Sequence, residues 1–242
     1  MSQVLIARTV DEHGIGSDEA RSERSLAAAA GIAGAIALGL YFAAPAFLGW
    51  PYAGASAPTL MSFANAHAAL FFGGAWLQVT GTLLCVVLFL SLVRLSDAAT
   101  HLAGMLTAMA SAVLLATVVV EAAFLIAVPI AASSGDAGTT ASTFALSNGV
   151  FLRVFPLAPA SATLIGLGLV LRGSNLLGPF LAIAAIGLGI AFELAGIAAI
   201  VSPGALVAIA ILSVVQAVWV VAAGIRLGFS TRSGLEPVEA RR

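Results

Sequence analysis

From Ser25 to Val93 the chain carries no Asp, Glu, Lys or Arg, an uncharged stretch far longer than the roughly 20 apolar residues that one membrane-crossing helix needs. Its middle, Trp50-Pro51-Tyr52-Ala53-Gly54-Ala55-Ser56-Ala57-Pro58, has the aromatic rings, prolines and glycine of an interfacial turn. The stretch therefore predicts two helices, near 26–48 and 66–93. Beyond the charged link Arg94 to Asp97, an apolar run predicts a third helix near 102–131, ending at Ala132-Ser133-Ser134-Gly135-Asp136-Ala137-Gly138. A fourth, about 149–171, stops at Arg172-Gly173-Ser174-Asn175. A fifth near 177–201 and a sixth near 204–227 are separated only by Ser202-Pro203-Gly204, a tight hairpin turn. The pattern predicts an all-α, polytopic transmembrane bundle of six helices over residues 25–228, with polar tails at 1–24 and 229–242.

Composition strengthens this reading. Hydrophobic residues make up 61% of the 242 positions and charged ones only 9%, against about 25% charged in soluble domains. All ten basic residues are arginines, and in the six-helix pattern Arg8, Arg21, Arg24, Arg94, Arg172, Arg226, Arg232, Arg241 and Arg242 fall on one side. Basic residues in short loops stay cytoplasmic, so both termini are expected inside. The first 24 residues are polar and rather acidic, unlike the short basic start of a secretory signal, and read as a cytosolic tail; cleavage after Ala44-Pro45-Ala46 is the alternative and would leave five helices. The lysine-free, Ala-, Gly- and Arg-rich composition points to a GC-rich genome and a bacterial plasma membrane. The lipid bilayer is then the first partner, with a second membrane protein or a second copy of the chain as the partner classes left open. The net charge of −1 argues against nucleic acid.

The absence of lysine removes any chemistry that needs a Schiff base, retinal and pyridoxal included. Cys85, the lone cysteine, sits in an apolar run where a thiol behaves as a small hydrophobe. His67 is expected near the outer end of the second helix and His101 near the inner start of the third, too far apart to share a haem or metal. No HExxH pair, Cys-x-x-Cys, phosphate loop or nucleophile elbow is present, so the expectation is a protein with neither cofactor nor catalytic constellation.

What remains is intramembrane polarity. Ionisable groups in hydrocarbon cost about 2.5–3.5 kcal/mol each on insertion scales, which makes Glu121, Arg153 and Glu193 the residues to explain. The two glutamates lie at matching depths of the third and fifth helices, and Arg153, about one turn inside the fourth, is expected to reach one of them or to extend outward. Gln78 and Gln216 add neutral amides, and His67 joins Gln78 on a second-helix stripe with Gly74, Gly81 and Cys85. A first-helix stripe of Ala27, Gly31, Ala35, Gly39 and Ala43 suggests close packing. Pro156 and Pro159 free backbone carbonyls beside Arg153 and predict a helix break, either a plain kink or part of a site. Val119-Val120-Glu121-Ala122-Ala123-Phe124 resembles Val214-Val215-Gln216-Ala217-Val218-Trp219, as two inverted three-helix repeats would require.

The run Leu171-Arg172-Gly173, Ser202-Pro203, Gln216 and Trp219 resembles bacterial six-helix membrane proteins grouped as a domain of unknown function. The resemblance covers about the last third of the chain. It implies the fold and a plasma-membrane location and carries no activity or site residue. Three functions stay open: first a non-enzymatic accessory, sensory or assembly component, then a small proton-coupled or small-solute transporter or channel using Glu121, Arg153 and Glu193, and last, with least support, a membrane-embedded enzyme.

Overall fold

The computed structural model describes residues 21–43, 49–51, 54–174, 176–202 and 204–230; most of both tails and the Ala44-Pro45-Ala46 segment lie outside them. Helix α1 occupies Arg21–Ala43. It is followed by α2 (Ala57–Ala66), α3 (Ala68–Leu95), α4 (Leu102–Ser133), α5 (Ala137–Arg153), a π-turn (Pro156–Ala160), α6 (Ser161–Arg172), α7 (Pro179–Val201) and α8 (Ala205–Ser230). Among the described residues, six helical segments are long and apolar enough to cross a membrane: α1, α3, α4, the continuous Ala137–Arg172, α7 and α8. The protein is thus an all-helical, multi-pass membrane protein.

Two helical stretches go beyond the apolar pattern. Ser56-Ala57-Pro58, read from sequence as turn, starts a helix: Ser56 Oγ accepts the Thr59 N–H at 3.4 Å, and Pro58 lies in the first turn, where its missing donor costs nothing. The fourth span begins at Ala137 rather than near 149. Asp136 caps it, accepting from the Thr139 N–H at 2.9 Å and the Thr139 hydroxyl at 2.6 Å. The polar residues that mask this stretch return their hydroxyls to carbonyls one turn back, Thr140 to Asp136 at 2.7 Å, Ser142 to Gly138 at 2.8 Å and Thr143 to Thr139 at 2.8 Å. Hydropathy registers these side chains as polar although the helix itself satisfies them.

The spans alternate in direction. At one end of the bundle Arg94 Nε meets Glu23 Oε1 at 3.2 Å, and the Ser96 hydroxyl donates to Ser174 at 3.1 Å, which ties together the start of α1, the α3–α4 link and the α6–α7 link. The opposite end carries α2 and the α4–α5 turn, joined where Asn65 Nδ2 donates to the Ala132 carbonyl at 3.3 Å. With 32 residues, α4 is about 48 Å long, well beyond a hydrocarbon thickness of about 30 Å. Its far end, α2 and the first turns of α5 form a cap over an aromatic cluster of Trp50, Phe63, Phe71 and Phe144.

Small residues set the closest crossings, as expected where lipid removes the hydrophobic drive for helix association. A Cβ on Gly34 would lie 2.7 Å from the Gly81 carbonyl oxygen, and one on Gly189 would lie 2.8 Å from the Ser161 carbonyl oxygen. The stripe on α1 follows Ala27, Gly31, Gly34 and Ala35 into this contact, while Gly39 faces open space. Trp219 Nε1 donates to the Leu181 carbonyl at 2.9 Å and ties α8 to α7. Ile183, Ile190, Ile197, Val207 and Val218 are exposed, as side chains facing lipid are.

Candidate functional site

The sequence brought Glu121, Arg153 and Glu193 together as one candidate cluster; the structure divides them. Glu121 is 2% exposed on α4. Its Oε1 accepts from the Tyr41 hydroxyl of α1 at 3.4 Å, and the Gln78 side chain of α3 stands beside its carboxyl. Glu193 on α7 is half-buried and accepts the Ser161 hydroxyl at 2.7 Å, bracing the far side of the helix break. Arg153, the last residue of α5, is exposed. Among the described residues no ion pair links it to either glutamate.

That break is a π-turn. Pro156 and Pro159 have no N–H to donate to the carbonyls four residues earlier. The Phe155 carbonyl instead accepts from Ala160 N–H at 3.1 Å, and the Phe155 N–H itself donates to Val150 O at 3.0 Å, both five-residue spacings. Such turns shift the helix by one residue and are frequent at functional sites. Beside it, Phe151 packs against Phe42 of α1, ring centroids 5.8 Å apart, and stacks on Phe155 at 5.6 Å.

Two cavities meet at this ring pair. The larger, about 330 Å³, lies among α1, α3, α4, α5 and α8, with Tyr41, Phe42, Trp50, Gly73, Glu121, Phe144, Ser147, Asn148 and Phe151 in its wall. The smaller, about 30 Å³, is walled by Gln78, Thr82, Ser213 and Gln216, and again by Phe42 and Phe151; it has room for about two waters at the ~10–15 Å³ that each requires. Three buried oxygens, Glu121 Oε2, Gln78 Oε1 and Ser111 Oγ, find no hydrogen-bond donor among the described residues. Two of these belong to cavity-lining residues. Orphaned polar atoms are uncommon in folded proteins, and Glu121 is both a cavity-lining residue and the owner of one of them.

The remaining sequence candidates fall as follows. Gln216 lines the small cavity with Gln78. His67 sits at the junction of α2 and α3, its Nδ1 3.1 Å from the Phe63 carbonyl and its ring stacked on Phe63 at 4.5 Å, a joint between helices outside both cavities. No three His, Cys, Asp or Glu side chains gather among the described residues. Tyr41, Phe42, Trp50, Ser147 and Asn148 belong to the site without having stood out in the sequence. Tyr41 had a usable signal: with Gly31, Gly34 and Leu38 it continues a three- and four-residue spacing along the buried face of α1.

Comparisons with protein-family profiles, curated proteins and solved structures find no match to this chain. Function therefore rests on the site. A buried carboxyl with one oxygen held by a phenol, lining a cavity rich in aromatic rings, can receive a positive or hydrogen-donating ligand.

Proposed function

We propose that the chain is a small-solute transporter of a bacterial plasma membrane, with both termini cytoplasmic and its solute held in the cavity beside Glu121. The observation that carries this reading is the file of two cavities on either side of the Phe42–Phe151 pair, next to a π-turn that can act as a hinge. A route across a membrane needs a binding space, a barrier and a continuing path, and these are the three features in sequence. Glu121 supplies the charge at the binding step, Phe42 and Phe151 supply the barrier, and Gln78 and Gln216 supply polar groups beyond it. The place of Arg94 and Arg172 at the ends of α3 and α6 supports the cytoplasmic assignment of that end. Binding and release require no covalent step, in keeping with a non-enzymatic role. Tyr41 and Gln78 both partner the Glu121 carboxyl, as a group fixing helix register would have it, and what favours transport over an accessory or assembly role is the cavity that Glu121 lines.

Uptake into proteoliposomes tests this. Labelled tetraethylammonium, glycine betaine, lactate and glycerol are offered to vesicles with and without the protein. At least one enters faster with the protein present, Glu121→Gln abolishes the difference, and Glu193→Gln retains it. If none of the four enters faster than into protein-free vesicles, or if Glu121→Gln behaves as wild type, the reading is wrong.

A further inference from the structure

The charge and shape of the larger cavity go further than the fact that it binds a solute. Of the residues in its wall, Glu121 is the charged one; no arginine, lysine or histidine lines it, and Arg153 is exposed at the end of α5. The carboxyl is buried and lacks a donor at Oε2. An anionic ligand would find no cationic partner in this wall, and an unpaired charge is costly to bury. A bare metal ion would need several oxygen ligands, and the wall gathers a single carboxyl with Tyr41, Ser147 and Asn148 around a space of about 330 Å³. That volume is at the small end of the roughly 300–1,000 Å³ typical of organic-ligand pockets. The rest of the lining is dominated by the rings of Phe42, Trp50, Phe144 and Phe151, whose faces attract a desolvated cation as well as apolar surface.

We propose that this cavity takes a small organic cation, an alkyl- or benzylammonium, with its charge at Glu121 and its apolar body among Phe42, Trp50, Phe144 and Phe151. The inference rests on the reading of the cavity as a solute site and adds the class of solute. Aliphatic surface from Leu70, Leu77 and Leu125 completes the wall, so a strongly hydrated ion such as free ammonium leaves most of the space unfilled. A cation carrying two or more hydrocarbon groups fills it.

Three benzyl compounds of nearly the same shape separate charge from size: benzyltrimethylammonium, its neutral carbon isostere neopentylbenzene, and the anion benzylphosphonate. Each is titrated against the full chain in lipid nanodiscs, with binding followed through tryptophan emission and Trp50→Phe identifying the signal from the cavity. Benzyltrimethylammonium is expected to bind more tightly than the other two. Glu121→Gln should weaken it by about tenfold or more while leaving neopentylbenzene unchanged, and Glu121→Asp should keep the preference for the ammonium. Should Glu121→Gln not fold, the three-way comparison on the wild-type protein decides by itself. Gly73→Leu offers a second route: Gly73 lines the cavity and a Cβ there meets open space, so the added bulk should exclude the ammonium while Glu121 is untouched. Equal or tighter binding of the neutral or anionic compound overturns the cation assignment and leaves the solute site standing. Absence of binding by all three overturns both.

Discussion

Glu121 was legible in the sequence because a carboxylate in an apolar run is costly enough to demand a reason. Its partners were not, because Tyr41 and Gln78 come from helices 80 and 43 positions away and local pattern contains no distance. The Tyr41 bond to Oε1 is long, 3.4 Å, so Tyr41→Phe should weaken ligand binding less than Glu121→Gln does, a ranking that the same titrations measure. Asp136 makes the second residue-scale prediction. The Thr139 hydroxyl, followed by the Thr139 amide, holds its carboxyl below the ordinary aspartate range. With the folded value below the unfolded one, the cap contributes stability above the unfolded pKa, about 3.9, and loses it as pH falls through the folded value. Thermal unfolding of the wild type in detergent should therefore drop more steeply below about pH 4 than that of Asp136→Asn, which cannot titrate at this position.

At the scale of elements, the prolines of the fourth span announced a break, and the π-turn form it takes depended on which carbonyls found new donors. Replacing both Pro156 and Pro159 by Ala restores the missing N–H groups and lets an α-helix run through. One residue of register corresponds to about 100° of rotation, which would carry Ser147, Asn148 and Phe151 away from the cavity. The expected result is loss of benzyltrimethylammonium binding with helical content and thermal stability unchanged, checked by titration and circular dichroism. Helix crossings give a matched pair. Gly189→Val places a Cβ 2.8 Å from the Ser161 carbonyl oxygen, whereas Gly187→Val enters open space. The first should destabilise the protein by about 1–3 kcal/mol and the second should be near neutral in a denaturation series. The sequence stripe on α1 named this kind of contact but extended it to Gly39, where no neighbour is close; small residues permit close approach, and only the angle between helices decides where it ends.

For the whole molecule, the spans alternate, and the proposal that the arginine-bearing end is cytoplasmic can be tested directly. In a Cys85→Ala background, an impermeant maleimide added to intact cells should label Ser134→Cys and spare Thr100→Cys until the membrane is opened; the reverse pattern would invert the orientation. The number of spans was determined by sequence alone, because the cost of exposing polar backbone or charge to hydrocarbon acts on each segment separately. Hydropathy missed α2 and the first turns of α5, where caps and hydroxyl-to-carbonyl bonds satisfy polar groups locally. Only the tertiary structure decided that Glu121 joins Tyr41 and Gln78 while Arg153 and Glu193 go elsewhere. The reason is geometric: which intramembrane groups meet depends on helix rotation and crossing, and a one-residue shift at Pro156–Ala160 reorients the whole face of α5.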